Sequence, residues 1–518
     1  MPPRARRRAD PAEPSGAGGR TGHRTRRHRR RSWLAAFVVL LVMGAFGGAV
    51  ASVIVIDRVA QPPRDWAPYL QRRAAGHDPL IERVAGLAAA YLRWADRLPP
   101  ARRIAVPPRI GAAPWRDAAP PHPTASGRLV VVDSVDALGA ALADARPGDV
   151  IELLGGTYTL ENRGFYLARA GTAAAPITLR AARLGDVVIR SDVVEAFKVA
   201  APYWRFDNLV MRGVCGDDSG CEHAFHVVGA ASHTVIVNSR LENFNAQVKV
   251  NREGTATPDD GRIEHDSLID THPRVTPNPV TPIDLDTGSG WTIRDTLIAD
   301  FVKADGNGVA YGAFAKAAGS GNRFIRNVVL CRWHLPDLAG ARVGLSFGGG
   351  GSPDSIRRDF GRTGLEALGG TMRDNLIAFC NDDGIYVNRS ANVTIAHNTL
   401  IDTGGIDVRF RPSRARVEDN LVDGAIRSRQ GGGIEGYGNR ATWLPLLFLG
   451  IHPQRALFAD PARLDLRWRT RPAAGDDPDP HRDLCGAARP AHPLPGAFQD
   501  YARCFVRSAG GGNRGMVP

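Results

Sequence analysis

Lysine is nearly absent from this 518-residue chain. Only Lys198, Lys249, Lys303 and Lys316 occur among its 66 Lys and Arg residues. Such a bias fits a GC-rich coding sequence, in which arginine stands wherever a plain positive charge suffices. Lysine does what arginine cannot: its pKa, about 10.4 in water, can fall far enough for it to act as a base. All four lysines fall between residues 198 and 316, so candidate chemistry is sought there, with Lys198 read as structural. Cysteine is also scarce. The six residues at 215, 221, 331, 380, 485 and 504 include no C-x2-C pair, which argues against a four-cysteine metal site. Disulfides are the favoured reading, with Cys215–Cys221, Cys331–Cys380 and Cys485–Cys504 as the suggested pairs, and they imply an oxidising compartment.

Charge is missing altogether from Trp33 to Ile56, a run of 24 residues that is long enough to cross a bilayer. Residues 1–32 carry 11 Arg against Asp10 and Glu13. Arginines ahead of an apolar run place the tail in the cytoplasm. The expected organisation is a basic cytoplasmic tail (1–32) and a transmembrane signal anchor (33–56), with everything beyond outside the inner membrane, periplasmic or extracellular. An arginine-rich tail suits nucleic acid too, but beside such a run its partner is the membrane, and no nucleic acid is expected. Residues 57–127 read as a helical stem and linker. Leu80, Val84, Leu87, Ala88, Tyr91 and Leu92 recur at helical spacing, predicting an amphipathic helix over 79–98. Eight prolines in 99–124 read as a stiff spacer that holds the rest off the membrane.

What the chain does have is a repeat. Asn or Asp followed by apolar residues recurs at Asn208, Asn238, Asp266, Asp295, Asn327, Asn375, Asn398 and Asn420. The last three are spaced 23 and 22 residues; the earlier ones are wider, and 48 residues separate Asn327 from Asn375. A period near 22 with β-branched strands and glycine turns predicts a solenoid in which each coil is one repeat. The wider gaps read as a coil plus a loop, or two coils. A helix from Ser134 to Ala145, with Leu138 and Leu142 on its apolar face, covers the first coil and its otherwise open strand edges. The solenoid is expected over 128–440 and an irregular C-terminal cover over 441–518.

"SVDALGAALADARPGDVIELLGGTYTL" (134–160), "GTAAAPITLRA" (171–181) and "YWRFDNLVMRG" (203–213) resemble the first coils of right-handed parallel β-helix proteins. Among these the chain is most similar to the chondroitinase B and alginate lyase group of polysaccharide lyases. The resemblance implies an all-β fold, a right-handed parallel β-helix, and chemistry on anionic polysaccharides. Those lyases use a Lys and an Arg with calcium held by Asn and Glu side chains; their Glu-x-Glu…Lys…Arg spacing does not occur here. Asp270-Thr-His272-Pro likewise differs from the Asp-Pro-His-Glu of mannuronan epimerases.

The repeat sets a register. Strands beginning at Phe225, Val248, Ile283, Ala313, Val343, Ile385 and Ile406 alternate apolar residues with others, so alternate side chains face outward. Two outward columns follow: His226, Lys249, Asp284, Phe314, Gly344, Tyr386, Asp407; and Val228, Asn251, Asp286, Lys316, Ser346, Asn388, Arg409. Neighbours in a column lie about 4.8 Å apart. Asn251, Asp284 and Asp286 supply hard oxygens suited to Ca2+. Lys249 or Lys316 is the candidate base, with Tyr386 and Arg409 assisting the leaving oxygen. His226, His272, Arg274, Asn388 and Asp407 are candidate substrate contacts. The predicted activity is β-elimination on a uronate-containing polysaccharide. Asp382-Asp383 keeps a glycoside hydrolase as an alternative. A non-catalytic polysaccharide-binding scaffold is the third reading, and a solvated sheet with salt-bridged ladders gives the same pattern.

Overall fold

The structure, a computed structural model, describes residues 43, 47–48, 50–101, 103–116, 127–476 and 481–506. The basic tail and most of the apolar run lie outside these. Among the described residues no helix is long and apolar enough to cross a membrane. The chain divides after Val59, and in the first unit residues 51–59 are helical.

The second unit is a parallel β-helix. Three sheets of twelve, ten and eleven strands run its length, and within each sheet consecutive coils supply neighbouring strands. Cys331 and Cys380 join adjacent coils, and the other two disulfides are also formed as expected. The interior is apolar, with Phe165, Phe197 and Phe225 stacked in register at 5.6 Å between ring centroids. The helix Val135–Ala143 starts at Ser134, whose side chain accepts from Ala137 N, and buries Leu138 and Leu142 against the first coil.

One polar side chain per coil explains the repeat. Backbone N–H groups of Leu209, Ser239, Asp266, Thr296, Asn327, Asn375, Asn398 and Asn420 each donate to a side-chain oxygen one coil on. The acceptors are, in order, Ser239, Asp266, Thr296, Asn327, Asn375, Asn398, Asn420 and Asn439. From Asn327 onward the amides also chain together: each Nδ2 donates to the next Oδ1 at 2.9–3.0 Å. The residue before each rung has positive φ, as at Asn238, Asp295, Asp374 and His397, a conformation that Asn, Asp and His tolerate best. The sequence repeat therefore mixed two roles. Asn208, Asn238 and Asp295 are the turn residues, whereas Asp266, Asn327, Asn375, Asn398 and Asn420 are rungs. The 48-residue gap is a single coil with a long loop, since Asn327 bonds directly to Asn375.

The stem is helical as expected, over Pro63–Ala74 and Pro79–Asp96. It packs directly on the solenoid. Arg64 is buried against Asp96 and Asp402 and donates to Cys380 O at 2.5 Å. The proline-rich segment lies on the coils too: Ala113 N donates to Asn238 Oδ1 at 2.8 Å, and Ile110 packs on the outer face of the eleven-stranded sheet. Unpaired polar backbone in this segment is satisfied by the turns it crosses, which a free spacer would leave to water. The predicted apolar stripe at Leu80, Val84, Leu87 and Tyr91 is exposed. The C-terminal cover runs back along the eleven-stranded sheet, where Phe458, Leu466, Phe498 and Tyr501 pack on Leu297, Leu330, Leu376 and Leu421.

Asn398→Leu should lower stability by about 3 kcal/mol, because it leaves the buried N–H and one of the two Nδ2 hydrogens of Asn375 without an acceptor, the other donating to Phe324 O. A shifted urea midpoint at unchanged slope measures this. Asp270 is fully buried; its Oδ1 accepts from Asn243 N and Gln247 Nε2 while Oδ2 has no partner. Burial pushes its pKa up to about 8. The folded state then holds this proton where the unfolded chain has lost it, so stability falls as pH rises from about 4 to 8. Asp270→Asn should match the wild type below pH 4 and exceed it increasingly towards pH 8, by thermal unfolding across that range.

Candidate functional site

The ten-stranded sheet presents the outward column. Its paired positions run Tyr166, Lys198, His226, Lys249, Asp284, Phe314, Ser346, Tyr386, Asp407 and Arg427. The order agrees with the sequence register except on the strand Ala341–Phe347, where Ser346 stands in place of Gly344. Gly344 instead abuts Gly384 O and Ile377, leaving no room for a Cβ, so the strand is displaced by two residues. In the second column Asp286 pairs with Lys316 and Asn388 with Arg409.

The two lysines meet at the aspartates. Lys249 Nζ lies 2.8 Å from Asp284 Oδ2 and 2.6 Å from Asp286 Oδ2. Lys316 Nζ is 3.6 Å from Asp286 Oδ1 and 4.4 Å from the centre of the Phe314 ring. Burial works against the charge on Lys249, but Asp284 and then Asp286 outweigh it and raise its pKa above the ordinary lysine value. Burial, and then Asp284, push Asp286 above the ordinary carboxylate value. The two aspartates thus favour the charged form of Lys249, which counts against it as the base.

The predicted calcium ligands do not fit calcium as arranged. The ammonium of Lys249 stands between the two carboxylates, and Asn251 Oδ1 is turned to His226 Nε2 at 2.5 Å. Two lysines already balance two aspartates, and the set falls well short of the six to eight oxygens calcium takes.

A second cluster begins one strand lower. His226 Nδ1 is 2.6 Å from Glu195 Oε1, and His223 Nδ1 is 3.2 Å from Ala246 O. The two imidazoles lie 4.9 Å apart. Ligand atoms of Glu195, His223 and His226 all fall within 4.8 Å of one another, a grouping able to hold a metal ion. Burial, then His226 and Lys249, push the His223 pKa down to about 3, so this ring is neutral. Glu195 also lines a cleft of about 550 Å³ with Asn162, Arg163, Tyr166 and Lys198. Lys198, read as structural, is paired with Glu253 at 3.2 Å on this edge.

Several predicted contacts serve the scaffold. Asp407 is buried and accepts both Nε and Nη2 of Arg429, so no oxygen is left for a substrate. His272 and Arg274 converge on Asp218, and buried Arg274 also donates to Asn245 Oδ1, which ties it to the coil turn. Asp383 is buried against Arg427, so it does not form a catalytic pair with Asp382. Arg409 donates to Gln430 Oε1 at 2.5 Å and lies over Phe410. Tyr386 is nearly buried, and that burial raises its pKa. Glu195 and His223 were missed by sequence reasoning. His223 and His226 are three apart, which on a regular strand points them to opposite faces. Counting the register one coil further back from His226 reaches Lys198 and the strand of Glu195.

No family model matches this chain, and no curated protein does. Solved structures do. Pectate lyase Pel9A is similar over 72% of this chain and 96% of its own, at 13% identity and a TM-score of 0.49. A family PL6 polysaccharide lyase from Pseudopedobacter saltans covers 66% and 97%, at 14% identity and a TM-score of 0.37. An alginate lyase from Paenibacillus sp. covers 60% and 99%, at 14% identity and a TM-score of 0.34. At such identities the likeness concerns backbone architecture. The order of strands within its three sheets makes the chain a parallel β-helix.

Proposed function

We propose that this protein acts on a uronate-containing polysaccharide by β-elimination, with Lys316 as the proton acceptor. The observation that carries the reading is the outward ladder itself. Tyr166, Lys198, His226, Lys249, Asp284, Phe314, Ser346 and Tyr386 follow one another at the strand spacing along the solenoid, a track whose lysines, histidine and aromatic rings suit a linear anionic chain. β-Elimination needs positive charge for the sugar carboxylate, a base for the proton α to it, and an acid for the departing O4. Lys249 is the cation nearest this point of the track, and a sugar carboxylate would share it with Asp284 and Asp286. Lys316 has a single carboxylate at 3.6 Å and is the lysine left for the base. Tyr386, two strands further on and about 10 Å away at the backbone, keeps its proton through burial and suits the leaving oxygen, with Arg409 beside it.

The same proposal includes an extracytoplasmic location, supported by three disulfides, with residues 33–56 as the membrane anchor. A binding scaffold without cleavage is the second reading. It is favoured by the closed pairing of Lys249 with Asp284 and Asp286, which resembles a structural ion network.

The full chain, incubated with polygalacturonate, alginate and glycosaminoglycans, is expected to release unsaturated uronate, followed by its ultraviolet absorbance. Lys316→Ala and Lys316→Arg should each reduce turnover by at least about 100-fold, because arginine does not give up its proton. Near-normal turnover in Lys316→Arg would remove Lys316 from the role. Reducing ends without absorbance would indicate hydrolysis. Retention on immobilised polysaccharide without any product would indicate the scaffold.

A further inference from the structure

We infer that Glu195, His223 and His226 form a binding site for a divalent transition-metal ion that prefers imidazole, of the zinc type, at the edge of the Asn162–Lys198 cleft. The inference shares His226 with the outward track but none of the residues given a step in the proposed elimination.

The hydrogen bonds around the two rings set their tautomers. His223 Nδ1 faces Ala246 O, which only accepts, so that nitrogen carries the hydrogen and Nε2 holds a free lone pair. Asn251 Nδ2 donates to Arg252 O at 2.8 Å, which fixes its Oδ1 as the atom towards His226 Nε2. An oxygen there makes Nε2 the donor, and Nδ1 of the neutral ring is left as an acceptor. Nδ1 nevertheless lies 2.6 Å from a carboxylate oxygen of Glu195, which also only accepts. Two acceptors at that distance need a cation between or beside them: either a second proton on His226 or a metal ion.

The surroundings favour the metal. Metal-bound histidines almost always donate their other N–H to a carboxylate, a backbone carbonyl or water; Ala246 O is such a carbonyl for His223, and the Asn251 side-chain oxygen takes the same place beside His226. His223 Nε2 has no other task, and a proton on His226 alone gives it none. Charge agrees as well. Lys198 is balanced by Glu253, and Lys249 with Lys316 by Asp284 and Asp286, so Glu195 is the carboxylate of this group left without a fixed cation. Two imidazole nitrogens with one carboxylate select a borderline ion over calcium or magnesium, which take oxygen. Three protein ligands at the side of a cleft leave a fourth position for water or a sugar oxygen.

The test is a titration of chelator-treated full chain with Zn2+, followed by calorimetry, and with Co2+, followed by its visible absorption. One equivalent should bind, with a Kd of about 1 μM or tighter, and millimolar Ca2+ should not compete. Glu195→Gln and His223→Gln should each abolish stoichiometric binding. Asn251→Ala, which removes only an outer partner, should weaken it about 10- to 100-fold. His492→Gln alters an exposed histidine elsewhere and should leave the isotherm unchanged. Circular dichroism of each variant separates lost binding from lost folding, and Glu195, about one-third exposed, is the position least able to disturb the core. No saturable binding, or binding that survives in a folded Glu195→Gln protein, overturns the inference and leaves His226 as an imidazolium paired with Glu195.

Discussion

A hydrogen bond from the backbone N–H of one coil to a buried side-chain oxygen of the next is the interaction on which this molecule depends. It recurs from Leu209 to Asn439 without a break. The residues on either side of each rung bond backbone to backbone to the neighbouring coil, but the rung N–H groups meet side-chain oxygens instead, and leaving them unpaired there is costly. The rungs satisfy those groups and hold each coil in step with the last. Since a slip of one residue would send every outward side chain into the core, the same rungs keep Lys249 beside Asp284 and His226 beside Lys249.

That rigidity has an electrostatic consequence. Lysines on an open sheet would be solvated and independent. Here, Asp284 and Asp286 are buried and share Lys249 and Lys316 between them. The aspartates therefore favour the charged form of Lys249. Lys249, with two short contacts, becomes a fixed cation, and in the proposed elimination the base stands two strands along, at Lys316. Glu195 at the lower edge has no lysine of its own and is met by histidines instead. A single ladder thus changes character along its length, from histidine and carboxylate, through the ammonium–carboxylate group, to the closed Asp407–Arg429 pair.

The coverings decide what reaches this face. The C-terminal segment and residue Ile110 of the proline-rich segment bury the outer side of the eleven-stranded sheet, whose Leu297, Leu330 and Leu376 would otherwise be an apolar patch. The stem helices dock at the later coils through Arg64, and Asp65 comes within 3.9 Å of Arg427. Burial, and then Asp382, push Asp65 up to about 7. The upper end of the ladder is thereby closed by charge pairing, while the lower end keeps its cleft beside Glu195 and Lys198.

From sequence alone, the coiled architecture, the capping helix, the disulfide pairs and most of the outward column could be read. These depend on local periodicity: alternation within a strand and one polar rung per coil. The reading failed where a loop broke the period, at Gly344, and where turn and rung residues share the same chemistry, at Asn208 and Asp295. Only the tertiary structure decided which oxygens remain free. Asp407 is taken by Arg429 from the next coil, Arg274 by Asp218, and Asn251 by His226. Those pairings depend on distances between residues 22 to 56 positions apart. Periodicity names the face on which a side chain stands, whereas its partner, and so its charge and its use, depends on how neighbouring coils bring other side chains against it.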